Sequence, residues 1–133
     1  MFSLVLGRMV PYTGSIRPRV EELRSGYCRI VMHDRRAVRN HLESVHAIAL
    51  ANLGEVTSGL AMTYSLPGEA RGIVTAISVQ YLKKARGTLT AECNTGQPDW
   101  QTPAEHAVTA EIRDEANDVV CKVTATWKLG PRK

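Results

Sequence analysis

The sequence predicts an α+β fold, one long central helix against a curved antiparallel sheet of five to six strands, and three observations predict it. A helix-like run from Ser44 to Leu66 carries Glu55 as its only Asp, Glu, Lys or Arg. The four segments after it alternate apolar and polar residues with the period of two that a half-buried strand requires. The connections are short and turn-rich, which suits antiparallel neighbours, because parallel pairing needs crossovers of a dozen or more residues.

Taken in order, "MFSLVLGRMV" is apolar but too short for a signal peptide, and it lacks a basic n-region and a small-residue cleavage site. Residues 1–20 are therefore expected to be an N-terminal helix and a lead-in segment. "GYCRIVMH" (26–33) reads as a strand, and "DRRAVRNHLES" leads into the helix with Ser44 or Asn40 available as its N-cap. A nearly uncharged run of this length invites a membrane span. Asn52, Gly54, Glu55, Thr57, Ser58, Gly59 and Ser65 argue against one, so the run is read as a central helix covered on several faces.

"GIVTAISVQYL" (72–82), "GTLTAECNT" (87–95), "EHAVTAEIRDE" (105–115) and "DVVCKVTATWKL" (118–129) supply the strands. His106, Val108, Ala110 and Ile112 share one face of the third, and Val119, Cys121, Val123, Ala125 and Trp127 share one face of the fourth. With "KKARG", "NTGQPDWQTPA" and "EAND" as turns, a meander is the expected topology.

A chain of 133 residues with 44% apolar side chains suits one domain, 1–133, and low aromatic content leaves its core to Val, Ile, Leu and Ala. Oligomerisation would supplement that core. The net charge of +4 favours an anionic partner, but the basic residues are dispersed and no aromatic ladder accompanies them, so nucleic acid is not expected. Cys28, Cys93 and Cys121 are odd in number and lack CxxC spacing, which fits reduced core thiols in a cytoplasmic protein and neither a disulfide frame nor a metal site.

"RNHLESVHAIALANLGE" resembles the hotdog-fold acyl-CoA thioesterases, in the phenylacetate-type branch and its domain-of-unknown-function relatives (DUF4442-like), and the resemblance extends over nearly the whole chain. Asn40, His46 and Glu55 keep the spacing of that branch's Asn, His and acidic residue. Glu43, Ala47 and Ile48 stand where the branch has glycines, and Glu55 where it has Asp. The resemblance implies hydrolysis of a thioester of coenzyme A or of an acyl carrier, without a cofactor. It also implies a homodimer whose site lies across the interface, with dimers either remaining so or pairing into tetramers.

The residues support that chemistry independently. Ala51 at i−4 and Gly59 at i+4 are too small to cover Glu55, and a desolvated carboxylate gains basicity, which suits proton removal from water or direct attack on an activated carbonyl. The unpaired N–H groups of the first helical turn, at His46 and Ala47, are positioned to stabilise an oxyanion. Residues 47 and 55 lie about 12 Å apart along a helix, which agrees with Glu55 acting at the partner's Ala47.

Each role has an alternative. Glu55 is either catalytic or a paired structural carboxylate; His46 and Asn40 either orient substrate or brace the loop. Ser58, Asn52 and Thr57 either hold a water beside Glu55 or satisfy helix carbonyls, with Thr75 and Ser78 as partners from the next strand. Lys83, Lys84 and Arg86 form either a solvated hairpin or a contact to the coenzyme A phosphates. Two further functions stay open: a non-catalytic acyl-CoA-binding protein, suggested by Ala47-Ile48, and a hydroxyacyl-thioester dehydratase, suggested by His41 fourteen residues before Glu55.

Overall fold

The computed structural model describes residues 18–33 and 47–132. The elements are β1 (Arg19–Arg24), β2 (Tyr27–Met32), α1 (Ala47–Ser65), β3 (Ala70–Tyr81), β4 (Leu89–Asn94), β5 (Ala104–Arg113) and β6 (Val119–Pro131). One helix thus packs against a six-stranded antiparallel sheet. The expected N-terminal helix, and the caps Asn40 and Ser44, lie outside the described residues.

β1 begins inside the expected lead-in segment, 1–20, and continues through residues to which the sequence assigns no strand. It forms a hairpin with β2 through Ser25 and Gly26, and Gly26 is required there: its φ is +80°, and a Cβ would meet the Gly96 carbonyl oxygen at 2.3 Å. The strand escaped the period-two test because a bulge between Val20 and Glu22 puts its core-facing residues, Val20 and Leu23, three apart.

The expected meander is corrected. The strand order is β1-β2-β4-β5-β6-β3, so of the four strands after the helix only β4, β5 and β6 follow one another, while β3 pairs with β6 at the far edge. "KKARG" is accordingly not a hairpin. It belongs to a connection that wraps the end of the β5–β6 hairpin: the N–H groups of Leu82 and Lys83 donate to the Val120 carbonyl, and that of Thr88 donates to Glu115 Oε1 at 2.9 Å.

The inner face of the sheet carries Ile30, Met32, Leu89, Ala91, Ile112 and Val123, all fully buried with Leu53 of the helix. Each larger aliphatic among them contributes about 1.5–3 kcal/mol relative to exposure. α1 lies across β2, β4, β5 and β6 and barely reaches β3. It approaches β6 closely at Gly54, where a Cβ would stand 2.2 Å from Val123 Cγ2. The helix stops where Ser65 Oγ donates to the Met62 carbonyl at 2.6 Å and Pro67 follows.

The three cysteines are core residues, as expected. Burial pushes their thiols up, Cys28 to about 12, with Cys93 beside it adding to the effect, and Cys93 and Cys121 to about 11. A thiol in the unfolded chain ionises near 8.5. Their contribution to stability is therefore whole below about pH 8.5 and declines as pH rises towards 11–12, because the unfolded chain sheds protons first. Urea unfolding at pH 7 and pH 10 should give a lower midpoint at pH 10, and a thiol reagent at pH 8 should label the native protein far more slowly than the unfolded one.

Candidate active site

Glu55 sits in the middle of α1 on the one stripe that faces away from the sheet core. Ala51, Asn52, Glu55 and Gly59 are half-buried and Ile48 is 58% exposed, at helical spacings of three and four. Gly54 touches Val123, and a Cβ at Gly59 would lie 3.8 Å from Trp127 Cζ2. Ala125 lies between those two on the inner face of β6, and Ile77 is its partner on β3.

The inner face of β3 is uncovered at that level: Ile77 is 40% exposed and Tyr81 51%. Tyr81 Oη donates to the Ala47 carbonyl at 3.1 Å and ties the end of β3 to the first turn of the helix. Burial raises the phenol's pKa, which keeps it a neutral donor. The strand pattern contained Tyr81, but nothing local to it indicated this contact.

The other residues singled out in the sequence divide into three groups. Asn40, His41 and His46 lie outside the described residues, while Ala47 is the exposed first residue of α1. Ser58 and Thr57 are buried, and their hydroxyls donate to the Glu55 carbonyl (3.1 Å) and the Leu53 carbonyl (2.7 Å), so both satisfy the helix itself. Ser78 and Thr75 do not face Glu55 of their own chain. Ser78 pairs with Thr124 on the outer face, and Thr75 Oγ1 donates to the Thr126 carbonyl and to Glu105.

Lys83 is bound to Asp114 at 2.9 Å and Asp118 at 2.7 Å. Those carboxylates raise its pKa, and Lys83 in turn holds Asp114 below the usual carboxylate range. The ammonium is thereby committed to fastening the β3–β4 connection. Lys84 and Arg86 are exposed on the same connection.

Two recesses lie elsewhere. One of about 890 Å³ on the outer face is lined by Tyr27, Glu92, Glu111, Arg113 and Lys122, whose charges are internally matched: Glu111 meets Arg113 at 3.0 Å and Lys122 at 3.8 Å, and Tyr27 donates to Glu92. The other, about 400 Å³, gathers Arg71, Lys128 and Arg132 around Ile73 and Leu129. The described residues contain no cluster of three His, Cys, Asp or Glu able to hold a metal ion, and no helix among them is long and apolar enough to cross a membrane.

Comparison with known proteins agrees with this architecture. Residues 1–129 match the family Domain of unknown function (DUF4442). No curated protein matches the chain. Among solved structures, "genomics APC5556" is 35% identical with a TM-score of 0.88, over 96% of this chain and 86% of that one. PA5026 of Pseudomonas aeruginosa, described as a protein of unknown function and probable thioesterase, is 22% identical with a TM-score of 0.86 over 96% and 92% of the two chains. The thioesterase HI1161 of Haemophilus influenzae is 15% identical with a TM-score of 0.78 over 93% and 87%. The chain belongs to the DUF4442 family and has the hotdog-like α+β fold of solved neighbours that include proteins called thioesterases.

Proposed function

We propose that the protein is a thioester hydrolase acting on acyl-coenzyme A or acyl-carrier substrates. The observation that carries this reading is Glu55, a half-buried carboxylate midway along an otherwise uncharged helix. The fold shared with proteins called thioesterases supports it. Glu55 takes a proton from the attacking water, or attacks the thioester carbon itself. The carbonyl oxygen, negative in the tetrahedral intermediate, accepts from N–H groups of a helix N-terminus at Ala47, and collapse expels the thiolate. Incubating the purified protein with acyl-CoAs of graded length and a thiol reagent tests the reaction directly; no release of thiol from any of them would refute it.

The working unit in this reading is a homodimer, with Glu55 of one chain acting at the partner's Ala47. β3 is a twelve-residue edge strand with exposed Ile77 and Tyr81, and a long apolar edge favours pairing with a second chain. Ile77→Glu should turn a dimer into a monomer in sedimentation velocity and abolish turnover with it. A second reading, binding without catalysis, draws on Ala47-Ile48 in place of the glycines of the thioesterase pattern. It predicts calorimetric binding of acyl-CoA with no turnover. The dehydratase reading rests on His41 and should appear as hydration of enoyl thioesters.

A further inference from the structure

Two buried polar atoms of the inner face find no hydrogen-bond partner among the described residues: Trp127 Nε1 and His106 Nε2. Trp127 is 8% exposed, so its indole N–H is withheld from bulk water. Native folds rarely leave such groups unmatched, because each forfeits its hydration without replacement. The two residues stand directly opposite each other on β6 and β5, which brings their Cβ atoms to about 5 Å. The orphaned atoms therefore belong to facing residues.

One side of the indole ring lies towards the helix that carries Glu55. The indole ring lies between two glycines: a Cβ at Gly59 would be 3.8 Å from Cζ2, and one at Gly72 3.3 Å from Cε3. Cζ2 is two bonds from Nε1, so the N–H side of the ring is the side near Gly59. Gly59 is half-buried on the accessible stripe, four residues or about 6 Å along the helix axis beyond Glu55. Gly59 leaves the N–H side of the ring without a covering side chain, whereas the side at Gly72 is closed, a Cβ there standing 3.1 Å from both Leu66 and Leu129.

We infer that Trp127 and His106 form a specificity subsite for a neutral hydroxyl on the acyl group, some way along the chain from the thioester carbon. This rests on the thioester-hydrolase reading for the substrate's other end. An indole N–H only donates, whereas a neutral imidazole with its proton on Nδ1 accepts at Nε2. A hydroxyl is the small neutral group that answers both. An ionised substituent does not suit a site so withdrawn from water.

The test compares hexanoyl-CoA with its 4-, 5- and 6-hydroxy derivatives, as kcat/KM, and the matching S-alkyl-CoA thioethers, as Kd by calorimetry. At least one hydroxylated isomer should be preferred over its plain counterpart by about tenfold to a hundredfold. Trp127→Phe should collapse that ratio, and His106→Leu should reduce it more than His106→Gln, which retains an acceptor. A ratio measured on one preparation is independent of how much of the variant is folded. No preference in the wild type, or a ratio unmoved by Trp127→Phe, overturns the inference; the pair would then hold a buried water. Turnover without discrimination defeats the subsite alone. A thioether preference without turnover supports the subsite and defeats hydrolysis, and no binding at all defeats both.

Discussion

Glu55→Gln is expected to lower kcat by about 10²- to 10⁴-fold on any acyl-CoA the protein hydrolyses, with little change in KM. The amide keeps the shape of the carboxylate, and the position is half-buried on α1, so the loss reports the missing base or nucleophile and not altered packing. Ala47→Pro removes the N–H at the first described helical position, where proline is tolerated, and should cost about 10²- to 10³-fold through the oxyanion. Mixing the two variants decides whether the site is shared. In a heterodimer, one of the two sites combines an intact Glu55 with an intact Ala47 N–H, so re-associated mixtures should regain roughly a quarter of wild-type turnover. A site contained in one chain would regain nothing, and a Glu55→Gln protein of undiminished kcat would remove Glu55 from the chemistry.

Gly54→Ala is expected to lower the unfolding free energy by about 2–3 kcal/mol, although alanine gains about 1 kcal/mol of intrinsic helix preference. The added Cβ would stand 2.2 Å from Val123 Cγ2 and 2.4 Å from Val123 Cβ, too close for rotamer adjustment to relieve, so α1 must lift from the sheet. Val123→Ala alone leaves a void. Combined with Gly54→Ala, the two changes should partly cancel, with a coupling of about 1–2 kcal/mol. Urea denaturation of the four proteins checks this; additive losses would mean that α1 and β6 do not touch at this point. Because Glu55 is the next residue, the same contact sets the depth of the carboxylate.

Much of the fold was legible where burial is periodic. The faces read on β5 and β6, His106 with Val108, Ala110 and Ile112, and Cys121 with Val123, Ala125 and Trp127, are the inner faces observed, except that a register shift puts Val120 and not Val119 in the core. What was not legible depends on neighbours. Alternation marks a strand without naming the strand beside it, so β3 was paired with β4 when its partner is β6. A bulge between Val74 and Ala76 reverses the sides of β3, turning Ile73 outward and Ile77 inward, and a slip of one residue is invisible in composition. Glu55 could be found because it is the lone charge of a long run. Tyr81, Trp127 and His106 could not, since each matters through what tertiary packing puts beside it.

The placement of β3 also has a kinetic side. Its pairing partners in β6, from Tyr81 with Cys121 to Ala70 with Pro131, lie about 40 to 60 residues further along the chain. At ordinary synthesis rates the ribosome needs roughly 2–10 s to supply the missing strand after β3 has emerged. Closing so distant a pair is slow in refolding too, since the entropy of the intervening chain is lost before any contact forms. During that interval β3 has neither of its flanks filled, and Ile73, Ile77 and Tyr81 are open to any other extended segment. The strand proposed to pair with a second copy is thus the one a nascent chain must guard longest.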